Sequence, residues 1–187
     1  MKVYTRKGDD GSTGLLYGGR IPKDAPGPTA YGATDEAVAA LGLARPECPP
    51  DGELHELLVR LQRELFVVGA ELATAPENRR KLTAGTSLVT AEMVTALEPV
   101  IDDITARFDP PTEFALPGEN RVAAALDLAR TIVRRAERES VTATTVGWLE
   151  PESQVVPYLN RLADLCWTLA RWQEGEFRPA RAAGTTP

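Results

Sequence analysis

A chain of 187 residues, 43% hydrophobic and 26% charged, is suited to one globular domain with a real core and little room for a second. No run approaches the roughly 20 apolar residues of a membrane span, and no apolar stretch follows the charges of Met1-Lys2-Val3-Tyr4-Thr5-Arg6-Lys7-Gly8, so a cytoplasmic protein without a membrane partner is expected. The net charge of −6 argues against nucleic acid as a main partner, and two distant cysteines, Cys48 and Cys166, with a lone His55, argue against a disulfide framework or a typical zinc site.

Residues 1–28 form an arm rich in glycine, charge and turn formers. Its core reads Thr5-Arg6-Lys7-Gly8-Asp9-Asp10-Gly11-Ser12-Thr13-Gly14, then Gly18-Gly19-Arg20-Ile21-Pro22-Lys23. Glycines let a backbone approach an anion and turn its N–H groups inward, hydroxyls donate to phosphate oxygens, and lysine or arginine neutralises charge. The stretch is not a G-x-x-x-x-G-K-[ST] loop, and a plain glycine-rich arm is the competing reading.

The rest is helical in pattern. Residues 30–44, rich in alanine and leucine, read as a short helix. Over 53–73, Leu54, Leu57, Leu58, Leu61, Leu65, Val68 and Leu72 recur three and four apart, one apolar stripe of an amphipathic helix. Residues 90–107 read as a capped helix that Pro99 kinks. Residues 120–143 and 153–173 read as two more, through Val122, Leu126, Ala129, Val133 and Ala136, and through Val156, Leu159, Leu162, Cys166 and Leu169. Five helices with connections at 45–52, 76–88, 108–118 and 145–152 describe a bundle spanning 29–174, followed by a disordered tail at 175–187.

Three helical or near-helical segments carry polar groups that a bundle does not require. Arg130, Arg134 and Arg138 lie four apart on one helix face, with Glu137 beside the row. Like charges at that spacing repel, so carboxylates, a polyphosphate or solvent must offset them. Glu113-Phe114-Ala115-Leu116-Pro117-Gly118 leads into this helix and reads either as packing or as part of a site. Asn160 and Asp164 lie four apart in Tyr158-Leu159-Asn160-Arg161-Leu162-Ala163-Asp164 and either complete a ligand site or are solvated.

Taken together, T-R-K-G-D-D-G-S-T-G near the start, Y-G-A-T-D-E at 31–36, F-A-L-P-G at 114–118, A-R-T-I-V-R-R-A-E-R at 129–138 and Y-L-N-R-L-A-D-L at 158–165 resemble the PduO-type ATP:cob(I)alamin adenosyltransferases. The resemblance spans about nine tenths of the chain. It implies an all-α five-helix bundle with a glycine-rich N-terminal arm, assembled as a homotrimer with sites between subunits. It also implies transfer of the 5′-deoxyadenosyl group of ATP to cob(I)alamin, with Mg²⁺ as counter-ion and triphosphate leaving. Thr5, Arg6, Gly8, Asp9, Gly11, Ser12, Thr13 and Lys23 would bind the polyphosphate, and Arg134, Glu137 and Asn160 would share the nucleotide site. Asp35 would pair with Arg130 across the subunit interface, and Phe114 would lie against the lower corrin face, so that Arg134, Phe114, Asp35 and Arg130 carry the reaction. A cobalamin reductase and an adenosylcobalamin-dependent mutase are the further partners such a reading admits. A bundle that only carries a nucleotide or corrinoid is the rival. The chain departs from the family pattern at Glu119, Asp127 and Val133, where a second glycine, a histidine and a cysteine are frequent.

Overall fold

The structure, a computed structural model, describes residues 3–181. Helix α1 spans Pro26–Ala44, α2 Glu53–Leu72, α3 Ala91–Thr95, α4 Glu98–Thr105, α5 Arg121–Thr145 and α6 Val155–Glu174. Short 3₁₀ turns at Arg45–Glu47 and Pro76–Lys81 sit in the connections. Strands β1, Ser12–Gly14, and β2, Arg20–Pro22, form an antiparallel hairpin in the arm, with Thr13 opposite Ile21. Strands β3, Ala115–Leu116, and β4, Arg178–Pro179, form a second pair.

The bundle is held by two kinds of packing. Helix α1 buries Ala30, Ala33, Ala37, Ala40 and Ala44 along one stripe, and α5, its most extensive neighbour, buries Ala129, Val133, Ala136 and Ala143. Small side chains on both helices allow close approach. Helices α2 and α6 supply bulk through Leu54, Leu58, Leu61, Leu65 and Leu72, and through Leu159, Leu162, Leu165 and Leu169. Each such leucine removed from water contributes about 1.5–3 kcal/mol before entropy is counted. The start of α1 is closed by Trp148, whose Nε1 donates to the Leu72 carbonyl at 2.8 Å. Gly27 is required there, because a Cβ would sit 2.4 Å from the indole.

Buried polar groups in this core are mostly satisfied by structure. Glu71 accepts from the Val89 N–H at 2.7 Å and the Ser153 hydroxyl at 2.5 Å. Tyr158 donates to Glu64 at 2.7 Å, and burial next to that carboxylate pushes the phenol well above its usual range.

The structure departs from the sequence reading in three places. Helix α1 starts at Pro26 rather than at 30, because proline needs no intrahelical partner in a first turn. The segment 90–107 is broken, not kinked: Thr90 caps α3 by accepting from the Met93 N–H at 3.3 Å, and Pro99, in the first turn of α4, starts a new helix. The tail does not leave the fold at 175. Residues 176–181 return across the 112–118 loop, where β4 pairs with β3 and the Ala180 N–H donates to the Phe114 carbonyl at 2.7 Å. Residues 182–187 of the expected tail lie outside the described residues.

Candidate active site

The arm is folded by its own polar groups. The Ser12 hydroxyl and N–H donate to the Asp10 carboxylate at 2.7 and 2.9 Å, and these bonds hold that carboxyl below its usual range. Arg20 Nε donates to the Ser12 hydroxyl at 3.0 Å, and its Nη2 reaches the Lys7 carbonyl. The Lys23 ammonium donates to the Gly8 carbonyl at 2.8 Å, while the Lys23 N–H donates to the Gly11 carbonyl at 2.9 Å. A Cβ at Gly8 would come within 3.1 Å of the Ser12 carbonyl and 3.2 Å of Lys23 Nζ, so a side chain there would crowd the turn. The Lys7 N–H donates to the Thr5 hydroxyl at 3.4 Å, the guanidinium of Arg6 lies 5.6 Å from the Tyr4 ring, and the Asp9 N–H donates to the Arg6 carbonyl. Thus Thr5, Arg6, Gly8, Asp9, Gly11, Ser12, Thr13 and Lys23 gather in one turn-and-hairpin unit. It is tied to the bundle by the Leu16 N–H, which donates to Ala73 at 2.9 Å, and by Tyr17, whose hydroxyl lies 3.2 Å from that of Ser87.

A second unit lies on α5 and α6. Arg130, Arg134 and Glu137 follow at intervals of four and three along α5, with Asp127 three residues before, so all four share a face. On α6, Asn160, Asp164, Trp167 and Arg171 repeat at four, three and four. The two stripes meet: Asn160 Nδ2 donates to Glu137 Oε1 at 3.0 Å. Arg134 is exposed, and among the described residues its guanidinium has no hydrogen-bond or ion-pair partner, although Arg138 donates to its carbonyl at 3.0 Å. The remaining member of this basic segment, Arg135, pairs with Glu36 of α1, which holds that carboxyl below its usual range.

The lower end of the same face opens into a cavity of about 730 Å³ between α5, α6 and the 111–117 loop. Its walls include Phe114, Trp167, Arg130, Asp127, Arg171 and Ala180. Phe114 is 89% exposed, an apolar ring offered to the opening rather than packed under the bundle. The loop that carries it is fixed by the β3–β4 pair and by an ion pair of Glu119 with Arg178 at 3.1 Å, so the departure at Glu119 has found a partner in the returning chain. A chain of charges runs along the same cavity. Arg130 Nε donates to Asp127 Oδ1 at 3.2 Å, Asp127 Oδ2 accepts from Arg171 Nη2, and Arg171 Nη2 donates to Glu174 Oε1 at 2.8 Å. Arg171 Nε also lies 2.8 Å from Glu174 Oε2, but without hydrogen-bond alignment.

The sequence reading paired Arg130 with Asp35 across an interface, and within one chain the two are not joined: Arg130 is held by Asp127. Asp35 is exposed and lines a separate groove with Tyr31, Val38, Leu65 and Phe66. Nor does any described hydrogen bond join the arm to Arg134, Glu137 or Asn160. Sequence reasoning missed the roles of Asp127 and Arg171. The available signal was a charge, Arg171, set directly after the apolar Leu169 and Ala170 and in register with Asn160, Asp164 and Trp167 along α6. Arg20, which organises the Ser12 turn, was visible only as one more cation in the arm. Among the described residues no group of three or more histidine, cysteine or carboxylate side chains is placed to hold a metal ion. No helix among them is long and apolar enough to cross a membrane.

Known proteins resemble this chain over most of its length. The family model described as Cobalamin adenosyltransferase matches residues 3–173. A corrinoid adenosyltransferase of Citrobacter freundii is 38% identical over 173 residues, covering 92% of this chain and 95% of the relative. The corrinoid adenosyltransferase PduO of Salmonella typhimurium is 38% identical over 181 residues, which are 96% of this chain and 52% of that protein; the chain therefore spans about half of that relative. A solved variant of a PduO-type ATP:corrinoid adenosyltransferase from Lactobacillus reuteri, complexed with cobalamin and ATP, superposes with a TM-score of 0.80 at 31% identity, over 92% of this chain and 91% of that one. With a match over nearly its whole length and a bundle of the same shape, this chain belongs to the cobalamin adenosyltransferase family.

Proposed function

We propose that this protein transfers the 5′-deoxyadenosyl group of ATP to cob(I)alamin, forming adenosylcobalamin and releasing triphosphate. The observation that carries the proposal is the continuity of one helical face: the Phe114 cavity, the free guanidinium of Arg134 and the Glu137–Asn160 pair lie along α5 and α6 within a few turns. Arg130 and Arg134 are four residues apart, about 6 Å along the axis. A bulky planar corrinoid in the cavity and a nucleotide on the polar stripe would then be adjacent.

The reaction is a substitution at carbon. The cobalt of cob(I)alamin uses an electron pair to bond C5′, and the C5′–oxygen bond breaks with its pair passing to triphosphate. The protein needs no nucleophile, in keeping with its two buried cysteines and single histidine. Its work is to align C5′ with the metal and to stabilise the charge growing on the leaving group. Arg134 and Lys23 are the cations for that charge, and Thr5, Ser12, Thr13 and the N–H groups around Gly8, Asp9 and Gly11 are donors to phosphate oxygens, with Arg6 flanking them. Phosphate oxygens would have to displace Asp10 from Ser12 and the Gly8 carbonyl from Lys23, so closure of the arm trades internal bonds for charge-assisted ones. Mg²⁺ is usually held by substrate phosphates and water with few protein ligands, and here it would ride on the phosphates of ATP. Phe114 would cover the lower corrin face, excluding an axial base and water and easing reduction of cob(II)alamin.

In this reading the active unit is a homotrimer. The groove around Asp35, with Phe66 64% exposed beside it, is the face that meets a neighbour, and Asp35 reaches that neighbour's Arg130. The place of work is the cytoplasm, where a cobalamin reductase would supply reduced corrinoid and an adenosylcobalamin-dependent mutase would receive the product. The test is direct. Protein, ATP, Mg²⁺ and chemically reduced cobalamin should together give the absorption spectrum of an alkylcobalt product, dependent on all components. A spectrum that never moves from the reduced and reoxidised forms would reject the activity.

A further inference from the structure

An ion chain shares the cavity with Phe114. Asp127 is buried in α5 with its side chain 4% exposed, and Arg171 is buried in α6 at 3%. Burying a carboxylate and a guanidinium costs several kcal/mol each, so such a pair is weak evidence for a gain in stability and invites a search for what it positions. Here Asp127 Oδ2 is taken by Arg171, whose other partner is Glu174. That arrangement fixes the carboxyl plane and leaves Oδ1 for Arg130 Nε at 3.2 Å. Arg130 is the outermost member and lines the cavity, with its side chain 28% exposed. Among the described residues its two terminal nitrogens have no acceptor. A guanidinium gripped by Nε alone presents the opposite edge, two parallel N–H groups, as a fork for another acceptor.

We infer that Asp127, locked in place by Arg171, is a positioning residue that holds the guanidinium of Arg130 at the wall of the corrinoid cavity, gripping Nε and leaving the terminal N–H edge open to another acceptor. The inference rests on the cavity being the corrinoid site, and adds to that reading the buried residues that set its wall. The family resemblance assigns Arg130 a carboxylate from a neighbouring subunit; Asp127 occupies Nε, so both contacts can exist at once on different edges of one guanidinium.

The obvious variant, Asp127→Asn, keeps the shape and one acceptor but leaves Arg171 and Arg130 short of a countercharge. It should lower Tm by roughly 10 °C, the scale expected when one partner of a buried ion pair is lost in a chain of this size. A second variant separates folding from positioning. Asp127→Leu with Arg171→Met removes both buried charges together, and such apolar replacements often leave stability unchanged or raise it. Glu174, deprived of Arg171, loses a countercharge, and the burial that already pushes its carboxyl up then favours the protonated form. The measurements are Tm, calorimetric binding of cob(II)alamin under anaerobic conditions, and calorimetric binding of ATP with Mg²⁺. For the double variant we expect Tm to recover to near wild type and ATP affinity to be unchanged, while cob(II)alamin affinity stays about tenfold or more below wild type. If the double variant recovers cob(II)alamin affinity together with Tm, the ion chain is only structural and the inference is overturned. If the wild-type protein itself binds no cob(II)alamin, the reading of the cavity falls, and the inference with it; binding by the wild type that neither variant alters sinks the inference alone.

Discussion

The arm and the α5–α6 face solve the same problem, presenting charge to a ligand, by opposite means. In the arm, Ser12, Arg20 and Lys23 are exposed or half-exposed and are held by bonds to one another and to nearby carbonyls. On the helical face the polar groups stand on elements fixed by a packed core, and the Asp127–Arg171 pair is itself buried. Exposed charge pairs contribute little, with a median of about 0–1 kcal/mol, whereas breaking a buried one costs several. The arm can therefore exchange its internal bonds for phosphate contacts at small cost, and the face can serve as a wall whose geometry is set before anything binds. Adaptable donors for a charged, variable polyphosphate and rigid walls for a large planar ring fit this division.

The comparison can be broken in several places. The largest effect should come from Arg134→Ala, because a positioned cation facing developing charge is worth about 100-fold or more in turnover. Steady-state kinetics with varied ATP should show that loss with the helical far-ultraviolet spectrum intact, and wild-type rates would remove Arg134 from the nucleotide site. Phe114→Ala should leave ATP binding unchanged, because the ring stands alone at the cavity mouth, yet lower turnover from cob(II)alamin at least about tenfold, or about 1.4 kcal/mol in barrier. Unchanged turnover in that assay would reject its role. Asp35→Ala should shift the assembly toward smaller species in sedimentation and lower the rate along with it; a wild-type trimer with wild-type kinetics would detach the Asp35 groove from both.

The smallest effect concerns the core. Burial pushes the Cys166 thiol up to about 12 from an ordinary value of 9.0. A folded-state pKa raised above the unfolded one means that the stability carried by the neutral thiol is complete below pH 9 and is lost as pH climbs from there toward 12. Folded protein should thus resist thiol reagents at pH 8, with modification of Cys166 tracking unfolding. Rapid labelling of Cys166 in the folded chain at that pH would contradict a sealed α5–α6 interface.

Much of this was legible in the residues. The apolar period of three and four gave α2, α5 and α6 to within a few positions, because those helices bury one stripe against a core. The glycines and hydroxyls of the arm announced turns, and Gly11, Gly18 and Gly19 take positive φ there. The break at Ala96–Leu97 was hidden because Val94, Leu97, Val100 and Ile101 keep the helical period across it. The β3–β4 pair was hidden for another reason: it joins residues more than 60 positions apart, through two-residue strands without any alternating pattern. The ion chain was invisible on the same ground, since Asp127 and Arg171 are 44 residues apart and become partners only when α5 and α6 pack. Local pattern reports elements; polar groups that pair across elements have to be seen in place.

The central claim is that the arm and α5 act on one polyphosphate. Calorimetric titration of ATP with Mg²⁺ into the wild-type protein, Lys23→Ala and Arg134→Ala tests it most directly. The account predicts saturable uptake by the wild type that each substitution weakens; no uptake by the wild type, or uptake indifferent to both changes, would contradict it.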